Sequence, residues 1–263
     1  VVSGWNGQGT LSSSQASYSG LTESVTLIAE GVSFEIKNIT LESAIDGDWM
    51  AAMRSEFYDS VGQFGIEAIN FDMPMMDTKA NLKNFVIDVR SEKNEDASLM
   101  DVDINYALES VDMPEFSGRD ILIKTEINNL ESAFMKAYQE ASAKPAQMEQ
   151  AIAEMIETKL LPQLQASPEF NITEMSGKVG EGNFSGKLMS KVTGIDSLPE
   201  PLEDPAFWAS KAVVDSKIKL DKKRTKEYFI LLWYWAPSIG LKKKILYLIY
   251  IFLTDGQQFK SFF

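Results

Sequence analysis

The segment from Met100 to Glu109 restricts the fold more than any other stretch. Met100, Val102, Ile104, Tyr106 and Leu108 alternate without a slip with Asp101, Asp103, Asn105, Ala107 and Glu109. A period of two sends successive side chains to opposite sides of an extended chain, so this is a strand with one apolar and one wet face. Such strands form antiparallel sheets, and the chain supplies neighbours on both sides. Val25 to Ala29 and Phe34 to Leu41 form a hairpin turning at Glu30-Gly31, with a slip near Lys37-Asn38 that predicts a bulge. Gly62 to Phe71, Leu82 to Val89 and Ile121 to Ile127 continue the pattern, with Met73-Pro-Met-Met76 as a connection and a charged turn over Ser91 to Asp96. Phe170 to Lys178 and Asn183 to Thr193 flank a glycine-rich turn, and Val213 to Leu220 is a last strand. At the start, Trp5-Asn-Gly-Gln-Gly9 reads as a turn beside an aromatic, and Thr10 to Tyr18 as a polar edge strand.

One stretch breaks the two-residue period. From Leu130 to Ala166 the apolar residues recur at three and four, the spacing of a helix face. Phe134 and Tyr138 lie on that face before Pro145; Met148, Ile152, Met155 and Ile156 continue it afterwards. Pro145 lacks a backbone donor and predicts a division into two helices, with Asn128 or Asn129 capping the first and Pro162 ending the second. Asp48 is expected to cap a short helix over Trp49 to Phe57, and Asp204 another through Phe207, Trp208 and Ala209. The architecture expected is α+β: an extended, curved antiparallel sheet of long alternating strands, with a helical insertion over about 129–166 packed on it.

Composition removes several function classes. The chain has no histidine and no cysteine, which excludes histidine-based triads, thiolate chemistry, disulfides and the usual zinc sites. Its net charge of −13 opposes binding to nucleic-acid phosphates. Of 25 basic and 38 acidic residues, eight and two fall from Lys222 onward, so that tail carries +6 and the first 221 residues −19. The pattern breaks at the same place. Residues 1–221 read as one α+β domain, the C-terminal part of a longer chain. In 222–263, apolar runs from Tyr228 to Leu241 and Ile245 to Leu253 flank Lys242-Lys-Lys244. Neither run reaches the ~20 residues of a spanning helix, and joining them would bury three lysines at about 2.5–3.5 kcal/mol each. The tail is left open between an altered reading frame, a basic membrane-surface segment and two further strands.

Motifs that suggest chemistry dissolve on their spacing. Asp101-Val-Asp-Ile-Asn105 starts like a calcium loop, but Tyr106 stands where the turn needs glycine and Asp112 where the loop ends in glutamate. Gly180 to Lys187 imitates a phosphate loop, with Leu188 in place of the magnesium-binding hydroxyl. No catalytic residue, metal ligand set or cofactor is nominated.

The order of pieces resembles the YdgA-like family of bacterial envelope proteins of unknown function. The resemblance is carried by the Trp-Asn-Gly start, Phe34-Glu-Ile-Lys-Asn-Ile39, the block from Leu82 to Glu109, and Asn128-Asn-Leu130 before the helical insertion. Glu174-Met-Ser-Gly177 with Glu181-Gly182, and Asp204-Pro-Ala-Phe-Trp208, complete it. It implies a membrane anchor upstream and a body on the periplasmic side of the inner membrane of a Gram-negative bacterium. The function expected is non-enzymatic: binding of a lipid or other hydrophobic ligand, or scaffolding of an envelope protein. Phe134, Tyr138, Met148, Ile152, Met155 and Ile156 would line the groove or its lid. A carboxylate-based hydrolase of envelope glycans or peptides and a module pairing through free sheet edges are the alternatives.

Overall fold

The computed structural model describes residues 1–29, 31–50, 58–95, 97–114, 116–143, 147–202 and 204–221. Most of the helix expected over 49–57, the division at Pro145 and the whole 222–263 tail lie outside these residues. Ten strands run in chain order: β1 (Val2–Leu11), β2 (Gln15–Ala29), β3 (Val32–Asp46), β4 (Asp59–Met73), β5 (Thr78–Lys93), β6 (Leu99–Met113), β7 (Phe116–Glu131), β8 (Glu169–Val179), β9 (Gly182–Val192) and β10 (Ala212–Leu220). Each pairs antiparallel with its sequence neighbours in one open, curled sheet. Helices α1 (Ser132–Ser142) and α2 (Met148–Gln165) join β7 to β8, and α3 (Pro205–Lys211) precedes β10. The α+β architecture read from alternation is the one observed.

Several local expectations change. Trp5 to Gly9 is no turn: it runs inside β1, with Gly7 opposite Gly20 and Gly9 opposite Tyr18. The glycines make room for a ring, since a Cβ on Gly20 would sit 2.5 Å from the Tyr18 hydroxyl oxygen and one on Gly7 2.8 Å away. Thr10 to Tyr18 is not one strand either. It contains the β1–β2 turn, where the Ser12 hydroxyl accepts from the Gln15 amide at 3.0 Å. Asp101 and Asp103 lie on β6 opposite Glu92 and Arg90, in an extended chain that cannot wrap an ion.

The insertion is anchored by side chains rather than by the asparagines expected to cap it. Glu131 caps α1, its carboxylate accepting from the Phe134 amide at 2.7 Å. Asn129 instead takes a left-handed conformation, with φ 61°, and donates to the Ser167 carbonyl at 3.1 Å. Gln163, buried in α2, accepts from the Glu131 amide at 2.8 Å and donates to the Asn129 carbonyl at 2.9 Å. One side-chain amide thus satisfies a donor and an acceptor where β7 leaves the sheet. Pro162 lies within α2, which continues to Gln165. Asp204 caps α3 as expected, accepting from the Ala206 amide at 2.9 Å.

The slip near Asn38 is not a bulge. Lys37 faces Ala68 and Ile39 faces Ile66, so the offset between β3 and β4 is the same on both sides and no residue is inserted. Asn38 sits at φ 45°, opposite Glu67. The same arrangement recurs across the sheet. Gly4, Asn38, Asn84 and Asp120, on the odd strands β1, β3, β5 and β7, all have φ between 45° and 64°. The flanking pairs place Glu23, Glu67 and Glu109 on β2, β4 and β6 in the same transverse row. The Asn38 amide donates to the Glu67 carboxylate and Asn84 to Glu109, while the Glu23 side chain lies where a Cβ on Gly4 would stand. Asp120 is paired with Lys178 of β8 at 3.5 Å. The sheet is therefore a tandem hairpin repeat. Ser3-Gly-Trp5, Lys37-Asn-Ile39, Lys83-Asn-Phe85 and Arg119-Asp-Ile121 mark the odd strands; Glu23-Ser-Val25, Glu67-Ala-Ile69 and Glu109-Ser-Val111 mark the even ones.

Candidate functional site

Strand pairing sorts the side chains of the sheet into transverse rows. One row carries Trp5, Thr22, Ile39, Ile66, Phe85, Leu108 and Ile121. Two residues along each strand, on the same face, lie Leu41, Phe64, Ile87, Tyr106 and Ile123. On the other side of the asparagine–glutamate row stand Val25, Ile36, Ile69, Leu82 and Val111. None of these positions holds Asp, Glu, Lys or Arg.

No second layer lies over these apolar rows among the described residues. Among the described residues the buried apolar side chains are Ala141, Met155, Leu164, Ile172, Val179 and Ile195, all in or beyond the helical insertion. On β1 to β6 Thr22 is buried, and the apolar row members are half-buried by their neighbours or exposed: Trp5 is 70% exposed, Leu41 46% and Tyr106 36%. A sheet of this size usually hides its apolar side under helices or a second sheet. Here α1 and α2 pack on each other and meet the sheet along β7.

The six residues expected to form a lid are divided between these helices. Phe134 and Tyr138 lie on α1; Met148, Ile152, Met155 and Ile156 lie on α2. Met155 is buried, Phe134, Ile152 and Ile156 are half-buried, and Tyr138 and Met148 are exposed.

A cleft of about 690 Å³ crosses β1 to β6. On β6 only Asn105 lines it, and Asn105 stands in a polar row with Gln8, Ser19, Glu42, Gln63 and Asp88. The cleft therefore opens on the polar side of the sheet. Gln63 lies between its two carboxylates and donates to Asp88 at 2.7 Å. No group of three acidic side chains that would hold a metal ion occurs among the described residues. No helix among them is long and apolar enough to cross a membrane.

Alternation alone predicts the apolar rows, but the sequence reading nominated the helices and missed the open sheet. The missed signal is the spacing of three in Ile36/Ile39, Ile66/Ile69, Leu82/Phe85 and Leu108/Val111, each with two polar or small residues between. Comparison with curated proteins finds no match, and neither does comparison with solved structures. A family model matches residues 1–231, that of a bacterial protein of unknown function, DUF945. With most of its length matched, the chain belongs to the DUF945 family of bacterial proteins of unknown function.

Proposed function

We propose that this protein is a non-enzymatic, YdgA-like component of the cell envelope that holds the apolar part of a lipid or another amphiphile against the open face of its sheet. The reading rests on one observation: charge-free apolar rows cover β1 to β6, and no second layer lies over them among the described residues. Contiguous apolar surface of this kind marks a binding site. Hydrocarbon suits it better than a protein partner, because hydrocarbon brings no backbone donors or acceptors that need pairing. The α1–α2 pair, with Phe134, Tyr138, Met148, Ile152, Met155 and Ile156, forms the margin of the trough at β7. A tether upstream of this segment would hold the body on the periplasmic side of the inner membrane of a Gram-negative bacterium, next to a source of lipid.

Native mass spectrometry of the chain produced in a bacterial periplasm, followed by solvent extraction, tests this. A stoichiometric lipid adduct is expected. A ligand-free mass with no uptake of added phospholipid or fatty acid would overturn the reading.

A further inference from the structure

We propose that the transverse asparagine–glutamate row switches the side-chain register of the sheet, joining two apolar half-faces into one trough, and that a long acyl chain lies across it along the strands. This rests on the amphiphile reading above and names its ligand and its site.

In an uninterrupted strand, residues three apart point to opposite faces. By that rule Ile36 and Ile39 of β3 would face away from each other, and so would Ile66/Ile69, Leu82/Phe85 and Leu108/Val111. The sheet would then have two half-apolar faces. The contacts at Gly118 on β7, beside the register shift of β7 against β8 between Arg119 and Leu122, show otherwise there, and the pairing of β3 to β7, unbroken across the row, carries the same orientation to the other strands. A Cβ on Gly118 would lie 3.0 Å from Val111 Cγ1, its cross-strand neighbour, and 2.9 Å from Ile121 Cδ1, three residues further along its own strand. Gly118, Val111 and Ile121 therefore share one face, although Asp120 and the row lie between them. The residue at positive φ supplies this turn of the backbone in each odd strand.

Two polar or small side chains on each strand, such as Lys37-Asn38 and Glu67-Ala68, are thereby directed away from the apolar side. The carboxylates bond to the asparagines within the row rather than entering the trough. The trough then crosses the row without meeting a charge. β2 to β6 each have 15 or 16 residues, about 50 Å of extended chain. Ile36, Ile39 and Leu41 stand on both sides of the row within five residue steps of β3, about 17 Å, so a hydrocarbon laid along these positions spans the row.

The chain has no cysteine, so single labelling sites can be introduced cleanly. A bimane label would be placed at Ile36→Cys, Lys37→Cys or Ile39→Cys in the full chain and titrated with brominated palmitate. Quenching at 36 and 39, with 37 spared, is expected. Quenching at 37 and 39 with 36 spared would overturn the register switch and leave the amphiphile reading standing. Absence of palmitate binding in all three and in the unlabelled chain would remove both. Chain length gives a second measurement. Asn84→Gly keeps the left-handed conformation but removes the amide that holds Glu109, so it isolates the conformational effect: it should bind palmitate at least fivefold more tightly than Asn84→Val. Asn84→Val opposes that conformation and should weaken palmitate at least tenfold while changing octanoate less than twofold. Equal loss of both ligands, or loss of neither, would count against the proposal. If Asn84→Val does not fold, the three labels decide.

Discussion

At the scale of single residues, the conformations that matter most are held by asparagine and glutamine. A β-branched residue at φ 47° is strained by about 1–3 kcal/mol. Asn84→Val should therefore lower the denaturant midpoint, and Asn84→Gly should stay within about 1 kcal/mol of the parent. Equal midpoints for the two would show that the conformation carries no cost. Gln163→Leu leaves the Glu131 amide and the Asn129 carbonyl without their partner in a buried setting, a loss of about 1–3 kcal/mol. Hydrogen exchange should quicken at Glu131 and leave the β3–β4 pairing unchanged. Gln163 stayed hidden in the sequence because a helix pattern shows which face is apolar, but not which polar residue on it meets a strand end.

At the scale of elements, the strands follow from composition and the helices from context. β6 was legible because its acids and aliphatics alternate strictly, and β6 also shows why a calcium loop is impossible there. β1 was hidden because five of its ten residues are glycine, serine or threonine, and turn chemistry and a strand accommodating the Tyr18 ring look alike in sequence. Gly20→Ala should force that ring to move, costing about 1–3 kcal/mol, and loosen β1 first; unchanged exchange at Trp5 to Gly9 would contradict this. In the helical pair, Met155 is 6% exposed, so Met155→Ala should cost about 2–5 kcal/mol. Tyr138→Ala, at an exposed site, should stay within about 0.5 kcal/mol. Thermal unfolding of both variants measures the difference.

At the scale of the whole molecule, the described residues form one layer with no second layer over its apolar side. If amphiphile occupies that side, ligand in excess should stabilise the folded state in proportion to the logarithm of its concentration, about 2.7 kcal/mol at a hundred times the dissociation constant. A melting temperature indifferent to added palmitate would contradict occupancy. Added salt should change the affinity little, because the rows carry no charge. The sequence by itself determined the strand-rich, antiparallel character of the chain, the helical insertion between β7 and β8, and the absence of histidine and cysteine chemistry. These depend on periodicity and residue type, which are local. Only the tertiary structure decided that Asn38, Asn84 and Asp120 stand in one row with Glu67 and Glu109, because strand register joins residues dozens of positions apart. It also decided that the described helices pack on each other and meet the sheet at β7, so that among the described residues nothing lies over the apolar rows of β1 to β6. Alternation specifies which side of a strand is apolar, and only the packing of elements decides what lies against it.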